Sequence, residues 1–345
     1  MAPQDDLISA LPDGVLGHAL GFLPAEQAVQ TSCLAQRWRH LWRSSMRCLR
    51  FVSEGRLESA FDFNMLVYRV LLQRDPILAL DEVDFTATTI RYWHDNDVDL
   101  DAWIRHVLLC RASILRVRIL VAQRLRLDGR TAHTSKYLKR LEIAYVVLDG
   151  NTCDFSSCPT LEDVEMAHCG IGTNRILSQS VERLRITDCS FYLDVRTRVW
   201  VPNAKVLELD YTSIKVLFLE GIHSLETAVV KPHSLLELCH RRADSGDCCG
   251  LCSKCRGDDD CNGRCLHFGG LANAVTLELI SGPAMGSEQS KDIQGNNGRM
   301  KRPATISDFL KNVVVKCEQN DVEVLKISEF FRTFGIEATI NRTSE

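Results

Sequence analysis

From residue 80 onward the chain repeats a short apolar pattern: an apolar residue, two of any kind, a second apolar residue, one of any kind, a third apolar residue. It reads Leu80-x-x-Val83-x-Phe85, Ile114-x-x-Val117-x-Ile119, Leu138-x-x-Leu141-x-Ile143 and Leu161-x-x-Val164-x-Met166. It continues as Val181-x-x-Leu184-x-Ile186, Ala204-x-x-Leu207-x-Leu209, Leu225-x-x-Ala228-x-Val230 and Ala274-x-x-Leu277-x-Leu279. The alternation at the end of each unit is the period of a strand buried on one face. From Ile114 to Leu225 the starts lie 20 to 24 residues apart. That period predicts one strand per repeat, each stacked on the next. The step from Leu80 to Ile114 is 34 residues and contains "DLDAWIRHVLLC". There Leu100, Trp103, Ile104, Val107 and Leu108 share one face of a predicted helix. The remaining segments between strands lack helical periodicity and are expected to be irregular.

The first 45 residues follow another period. Val15, Leu16, Ala19, Leu20 and Leu23 recur at helical spacing. Pro12 before Asp13 suits a helix start, and Pro24 stops that helix. A second short helix fits 25–32, and a third fits 35–44 with Trp38, Leu41 and Trp42 on one side. Gly14, Gly17 and Gly21 lie inside the first helix, each costing up to about 1 kcal/mol against Ala. Helices of about ten residues are marginal alone. Their apolar faces therefore need a partner or the rest of the chain.

"DLISALPDGVLGHALGFLPAEQAVQTSCLAQRWRHLW" resembles the F-box of plant F-box/leucine-rich-repeat proteins. The likeness rests on Asp6, Ile8, Ser9, Leu11, Pro12, Asp13, Leu16, Leu20, Phe22, Leu23, Pro24, Ala28, Val29, Thr31, Ser32, Leu34, Arg37, Trp38, Arg39, Leu41 and Trp42. The three glycines depart from it, since the family has better helix formers there. "DFSSCPTLEDVEM" and "SQSVERLRITDC" resemble the same family's repeats, and Cys169 and Cys189 stand where the repeat consensus has Asn or Cys. "FLKNVVVKCEQNDVEVLKISEFFRTFGIEATI" is similar to the closing segment of the FBD region and reads as strand, helix, strand. Family members carry several more repeats between the positions matching Pro283 and Phe309, which implies an internal deletion or an unusual gene model here.

The resemblance implies an α/β chain: an N-terminal three-helix F-box followed by a curved leucine-rich-repeat solenoid with a parallel sheet on its concave face. The expected divisions are 6–50 for the F-box, 51–75 for a helical connector and 76–282 for the solenoid, with a Cys-rich insertion at 239–267. A flexible linker at 283–306 and an FBD-like segment at 307–345 follow. The family's F-box docks on a Skp-type adaptor and through it a cullin, and the repeats bind a protein substrate for ubiquitination. The expected docking residues are Leu11, Pro12, Leu16, Leu20, Leu23, Pro24, Val29, Leu34, Trp38 and Trp42. On the concave face, Arg116, Arg118, Arg140, Glu142, Glu162, Glu165, Arg183 and Arg185 are the candidates for contacting that substrate. The alternative is a non-degradative F-box scaffold, or a truncated paralogue that no longer binds substrate.

"CHRRADSGDCCGLCSKCRGDDDCNGRCLH" adds a second kind of chemistry. Cys249, Cys252 and Cys255 have spacing that lets thiolates reach one tetrahedral zinc, with Cys261 or Cys265 from across a loop. The competing reading is a polar, cysteine-rich insertion without metal, and no other cofactor is expected. The net charge of −4 gives no basic field for nucleic acid. No apolar run approaches the ~20 residues that span a bilayer, so no membrane partner is expected. "MAPQDDLISA" is acidic where a secretory signal is basic and then apolar, which points to nucleus or cytoplasm. There most of the 15 cysteines are reduced thiols. The phosphate-loop, zinc-protease, nucleophile-elbow and dinucleotide motifs are missing, so the reading is a non-catalytic adaptor subunit.

Overall fold

The computed structural model describes residues 10–34, 36–53, 59–75, 77–88, 98–120, 124–129, 134–193, 197–210, 217–231, 238–239, 266–267, 271, 273–280, 310–317, 331–332, 336 and 338–342. The chain is mixed α/β, with helices at the N-terminus and a large parallel sheet. It divides into two compact units, residues 1–164 with 168–170, and residues 165–167 with 171–345.

In the first unit α1 (Asp13–Leu20) and α2 (Ala25–Gln30) each start directly after a proline. Proline's fixed φ suits that position. A 3₁₀ turn at Thr31–Cys33 leads to α3 (Trp38–Ser45). Strand β1 (Cys48–Ser53) and helix α4 (Ala60–Gln73) follow, then β2 (Glu82–Ala87), α5 (Leu100–Leu109), β3 (Ile114–Ile119) and β4 (Arg140–Ala144). Two side chains cap the longer helices. Ser59 Oγ accepts the Asp62 backbone N–H at 3.2 Å, and Asp99 accepts that of Ala102 at 2.9 Å. Each satisfies a donor that the first turn leaves without a helical partner.

Strands β1 to β4 pair in parallel and in register. The core is an aromatic cluster that joins α4 and α5 to the sheet. Phe51 stacks on Phe85 at 5.1 Å, Phe85 on Trp103 at 5.2 Å, and Phe63 meets Trp103 edge-on at 5.5 Å. All four are fully buried. The Trp103 Nε1–H donates to Asn64 Oδ1 at 2.8 Å, so burial leaves no unmade hydrogen bond on the indole. Arg74, also buried, donates to the carbonyls of Met46 and Leu78. It thereby ties the end of α3 to the end of α4 and to the approach to β2.

Strand β5 (Asp163–Ala167) contains the boundary between the units. In the second unit β6 (Arg183–Thr187), β7 (Val206–Asp210), β8 (Thr227–Lys231), β9 (Thr276–Ile280), β10 (Asn312–Cys317) and β11 (Ala338–Arg342) pair in the same parallel, in-register way. The return segments differ from the expectation of irregular backs. Arg126–Leu127 pairs with Val147–Asp149 in the first unit, and Thr197–Trp200 pairs with both Arg175–Leu177 and Leu217–Glu220 in the second. These strands have two to four residues, too few for an alternation to stand out in sequence.

Three local devices recur from strand to strand. One carbonyl before a strand accepts two successive N–H groups of the next: Ser113 from Lys139 and Arg140, Glu182 from Lys205 and Val206, Lys205 from Glu226 and Thr227. The residue just after a strand turns left-handed at Tyr145, His168 and Asp188, with φ of 64°, 54° and 48°. The cost is about 1–2 kcal/mol for a side-chain-bearing residue, and the turn directs the chain back. The following cysteines then point inward: Cys169 Sγ donates to the Ile143 carbonyl and Cys189 Sγ to that of Met166, each at 3.4 Å. Cys110, Cys153, Cys158, Cys169 and Cys189 are buried thiols rather than halves of disulfides. Burial pushes the Cys153 thiol up to about 12, so it acts as a small apolar residue.

Of the Cys-rich insertion only the ends are described, where Leu238–Cys239 pairs in parallel with Leu266–His267. The linker expected at 283–306 lies outside the described residues. Of the helix expected between β10 and β11, Phe331 and Arg332 are described and are helical, and Phe331 is fully buried.

Truncating the central aromatic tests this core. Trp103→Ala should cost about 3–5 kcal/mol and lower the thermal midpoint sharply, measured by circular dichroism on the full chain.

Candidate partner-docking surfaces

Helix α1 is apolar on two sides. Leu16 and Leu20 face inward and are buried, as are Ala28 of α2 and Leu41 and Trp42 of α3. Leu11, Val15, Phe22 and Leu34 are exposed, at 40%, 50%, 61% and 73%. Pro12 is exposed, and Leu23, Pro24, Val29 and Trp38 are half-buried. The ten expected docking residues thus divide. Leu16, Leu20 and Trp42 are core residues of this chain, because helices this short bury an inner face to hold together at all. The sequence reading left out Val15 and Phe22. The signal for them was the second apolar column, 15, 19 and 22, running beside 16, 20 and 23.

Two of the three glycines have a packing reason. α1 crosses the end of α3 so closely that a Cβ on Gly17 would lie 2.4 Å from Ser45 Cβ and 2.9 Å from its backbone carbonyl carbon. A Cβ on Gly21 would press on Cys48 Cβ at 3.3 Å. Gly14 is different, since a Cβ there would meet nothing within 4 Å. Arg37 fixes the start of α1 from the other side: its Nε donates to Asp13 Oδ1 at 2.8 Å and its terminal nitrogen to the Leu11 carbonyl.

These contacts separate the glycines by experiment. Gly17→Ala should destabilise the chain by about 1–3 kcal/mol through overpacking against backbone. Gly14→Ala should be neutral or slightly stabilising. Urea unfolding midpoints of the two variants check the contrast.

The exposed face of the sheet carries paired charges. In the first unit Arg116, Arg118 and Arg140 converge on Glu142, whose side chain is only 7% exposed. Arg116 Nε lies 3.0 Å from one Glu142 oxygen and Arg140 Nε 2.6 Å from the same one, while Arg118 holds the other. Arg116 also holds Glu82, and Arg140 reaches Asp163 at 3.4 Å. In the second unit Arg185 bridges Glu165 at 2.9 Å and Glu208 at 2.7 Å, and Lys231 pairs with Asp210 at 2.6 Å. The structure thus brings together six of the eight expected substrate contacts, as partners of one another. Glu162, just before β5, and Arg183, the first residue of β6, are exposed. Asp210 and Lys231, missed in sequence, follow from the register, while Glu82, also missed, is reached diagonally by Arg116.

Burial alone would raise the Glu142 carboxyl. The hydrogen bond and charge of Arg116, with Arg140, outweigh it and hold the group below its ordinary range. The Arg185 hydrogen bond does the same for Glu208 against partial burial. Both folded-state values are depressed, so the stability these groups add is fully present above the ordinary Glu value of about 4.3. It is lost as pH falls through the lowered folded values. Glu142→Gln should therefore cost about 1–3 kcal/mol at neutral pH, as expected for a charge-assisted, partly screened site. The gap to the parent should close on acidification, and urea titrations across a pH series would show it.

Among the described residues no cluster of metal-ligating side chains occurs, and no helix is long and apolar enough to cross a membrane. Cys249, Cys252, Cys255, Cys261 and Cys265 lie outside the described residues.

The F-box domain family matches residues 8–50, the segment of α1 to α3. An F-box/LRR-repeat protein of Arabidopsis thaliana is 27% identical over 234 residues, covering 59% of this chain and 45% of its own length. An F-box/FBD/LRR-repeat protein of the same plant is 26% identical over 237 residues, covering 60% of this chain and 56% of the relative. An FBD-associated F-box protein is 28% identical over 228 residues, covering 55% and 51%. The chain spans about half the length of these curated relatives. It carries an F-box domain at its N-terminus and is homologous to the F-box/LRR-repeat and FBD-associated F-box proteins of Arabidopsis thaliana.

Proposed function

We propose that this chain is a non-catalytic substrate-recognition adaptor of a Skp–cullin–F-box ubiquitin ligase, working in the nucleus or cytoplasm. The F-box would dock on a Skp-type adaptor and the strand-rich remainder would select a protein. The observation that carries the reading is the exposed apolar set Leu11, Val15 and Leu34 on the segment that matches the F-box. Large apolar side chains left open on short helices suit a groove on a partner. Docking energy is assigned to Leu11, Val15 and Leu34 together with Pro12 and half-buried Trp38, since central aromatic and aliphatic anchors dominate such interfaces.

The finer fold reading, a leucine-rich-repeat solenoid, belongs to the same proposal. It is supported by the 20-to-24-residue strand period, the in-register parallel pairs, the shared acceptor carbonyls and the left-handed residue after successive strands. One observation favours the second reading, a scaffold that docks without delivering a substrate: most mapped charges on the sheet face are already paired with each other.

Capture by a purified Skp-type adaptor tests the docking. Leu11→Asp combined with Leu34→Asp should weaken capture at least tenfold while the unfolding midpoint stays put, because both side chains are exposed. Unchanged capture by the double variant rejects this surface. Proteome turnover after depletion then separates the degradative reading from the scaffold.

A further inference from the structure

Beside the crossing of α1 and α3 the first unit contains a groove of about 270 Å³. It is lined by Gly14, Gly17, Gly21 and Phe22 on one side and by Cys48 and Arg50 of β1 on the other. That volume falls just below the roughly 300–1,000 Å³ of small-molecule pockets, so it suits one or two side chains of a peptide. At Gly14 the groove has room for a side chain. A Cβ on Gly17 would collide and one on Gly21 would be tight, whereas nothing within 4 Å opposes a side chain at position 14.

The charges around it are unequal. Arg47 is neutralised by Asp81 at 2.7 Å. Arg50 places its guanidinium 5.9 Å from the centre of the Phe22 ring and, among the described residues, makes no ion pair. Its register neighbour Asp84 instead accepts the Thr86 hydroxyl at 2.8 Å. Other arginines of the sheet face, Arg116, Arg118, Arg140 and Arg185, are each bound to a carboxylate. His18, which also lines the groove, meets the Phe22 ring edge-on at 5.1 Å. Phe22 therefore presents an open ring beside a cation that still has its donor edge to offer. A guanidinium can stack on an aromatic face and bind a carboxylate through its N–H fork at once.

We propose that this groove recognises an acidic peptide segment of a protein partner. A Glu or Asp carboxylate pairs with Arg50, and an adjacent apolar side chain lies against Phe22 over the Gly14 opening. The proposal rests on the reading of this chain as a recognition subunit, and it names the chemistry of what is recognised.

The test is fluorescence anisotropy on the full chain with a fluorescein-labelled peptide carrying two glutamates around a leucine. Its glutamine and phosphoserine counterparts are run alongside. The glutamate peptide should bind saturably and at least tenfold tighter than the glutamine one. Arg50→Gln, which removes the cation, and Gly14→Leu, which fills the groove from a position free of packing, should each weaken it at least tenfold. Equal binding of the glutamate and glutamine peptides, absence of saturable binding, or full binding by both variants overturns the proposal. Tighter binding of the phosphoserine peptide overturns the carboxylate assignment. Capture by the Skp-type adaptor is measured on the same samples: its failure in the parent chain strikes the docking reading, while peptide binding by that sample sustains the groove.

Discussion

Parallel pairing in strict register is the constraint on which most of this chain depends. Strands lie about 4.8 Å apart, so each outward side chain sits beside its counterpart in the next repeat. A row of like charges would repel itself along its whole length. The chain avoids this by alternation. Across β1 to β4 one row reads Arg50, Asp84, Arg116, Glu142, and in the second unit Arg185 stands beside Glu208. The charged face is thus largely a by-product of pairing parallel strands in register, and its ion pairs answer a structural need before any partner arrives. Such pairs add modestly to stability where solvent reaches them. A partner approaching this face meets charges whose first claim is on each other, whereas Arg50, at the end of the row on the first strand of the sheet, makes no ion pair among the described residues.

The N-terminal helices solve a different problem. α1 buries one apolar column in its own unit and leaves another exposed, so one short helix both belongs to the fold and offers a surface. That dual use requires close packing on the inner side. Gly17 and Gly21 permit it, at the expense of helix propensity, because a Cβ would collide with Ser45 or press on Cys48. Arg74 then holds the end of α3 to the end of α4 through two carbonyls. Within this unit the helices are consequently fastened to the strands by directed hydrogen bonds as well as apolar contact.

The amino-acid sequence by itself determined the strands of the large sheet from β2 onward, though not β1 or the short return strands, together with the helix over residues 100–109 and the three short N-terminal helices. These follow from local periodicity and from prolines that act on their own neighbours, and "LPDGVLGHALGFLP" already carried the family likeness. Tertiary structure decided what periodicity leaves open. It assigned Leu16, Leu20 and Trp42 to the core and Leu11, Val15, Phe22 and Leu34 to the surface, because which of two adjacent apolar columns is covered depends on what packs there. It turned Arg116, Arg118 and Arg140 from separate candidates into one cluster around Glu142, since register is a relation between distant segments. And it gave the glycines their reasons: a missing Cβ reads in sequence only as a weak helix, and becomes a close crossing at Gly17 or an open groove at Gly14 only when the neighbours are in place.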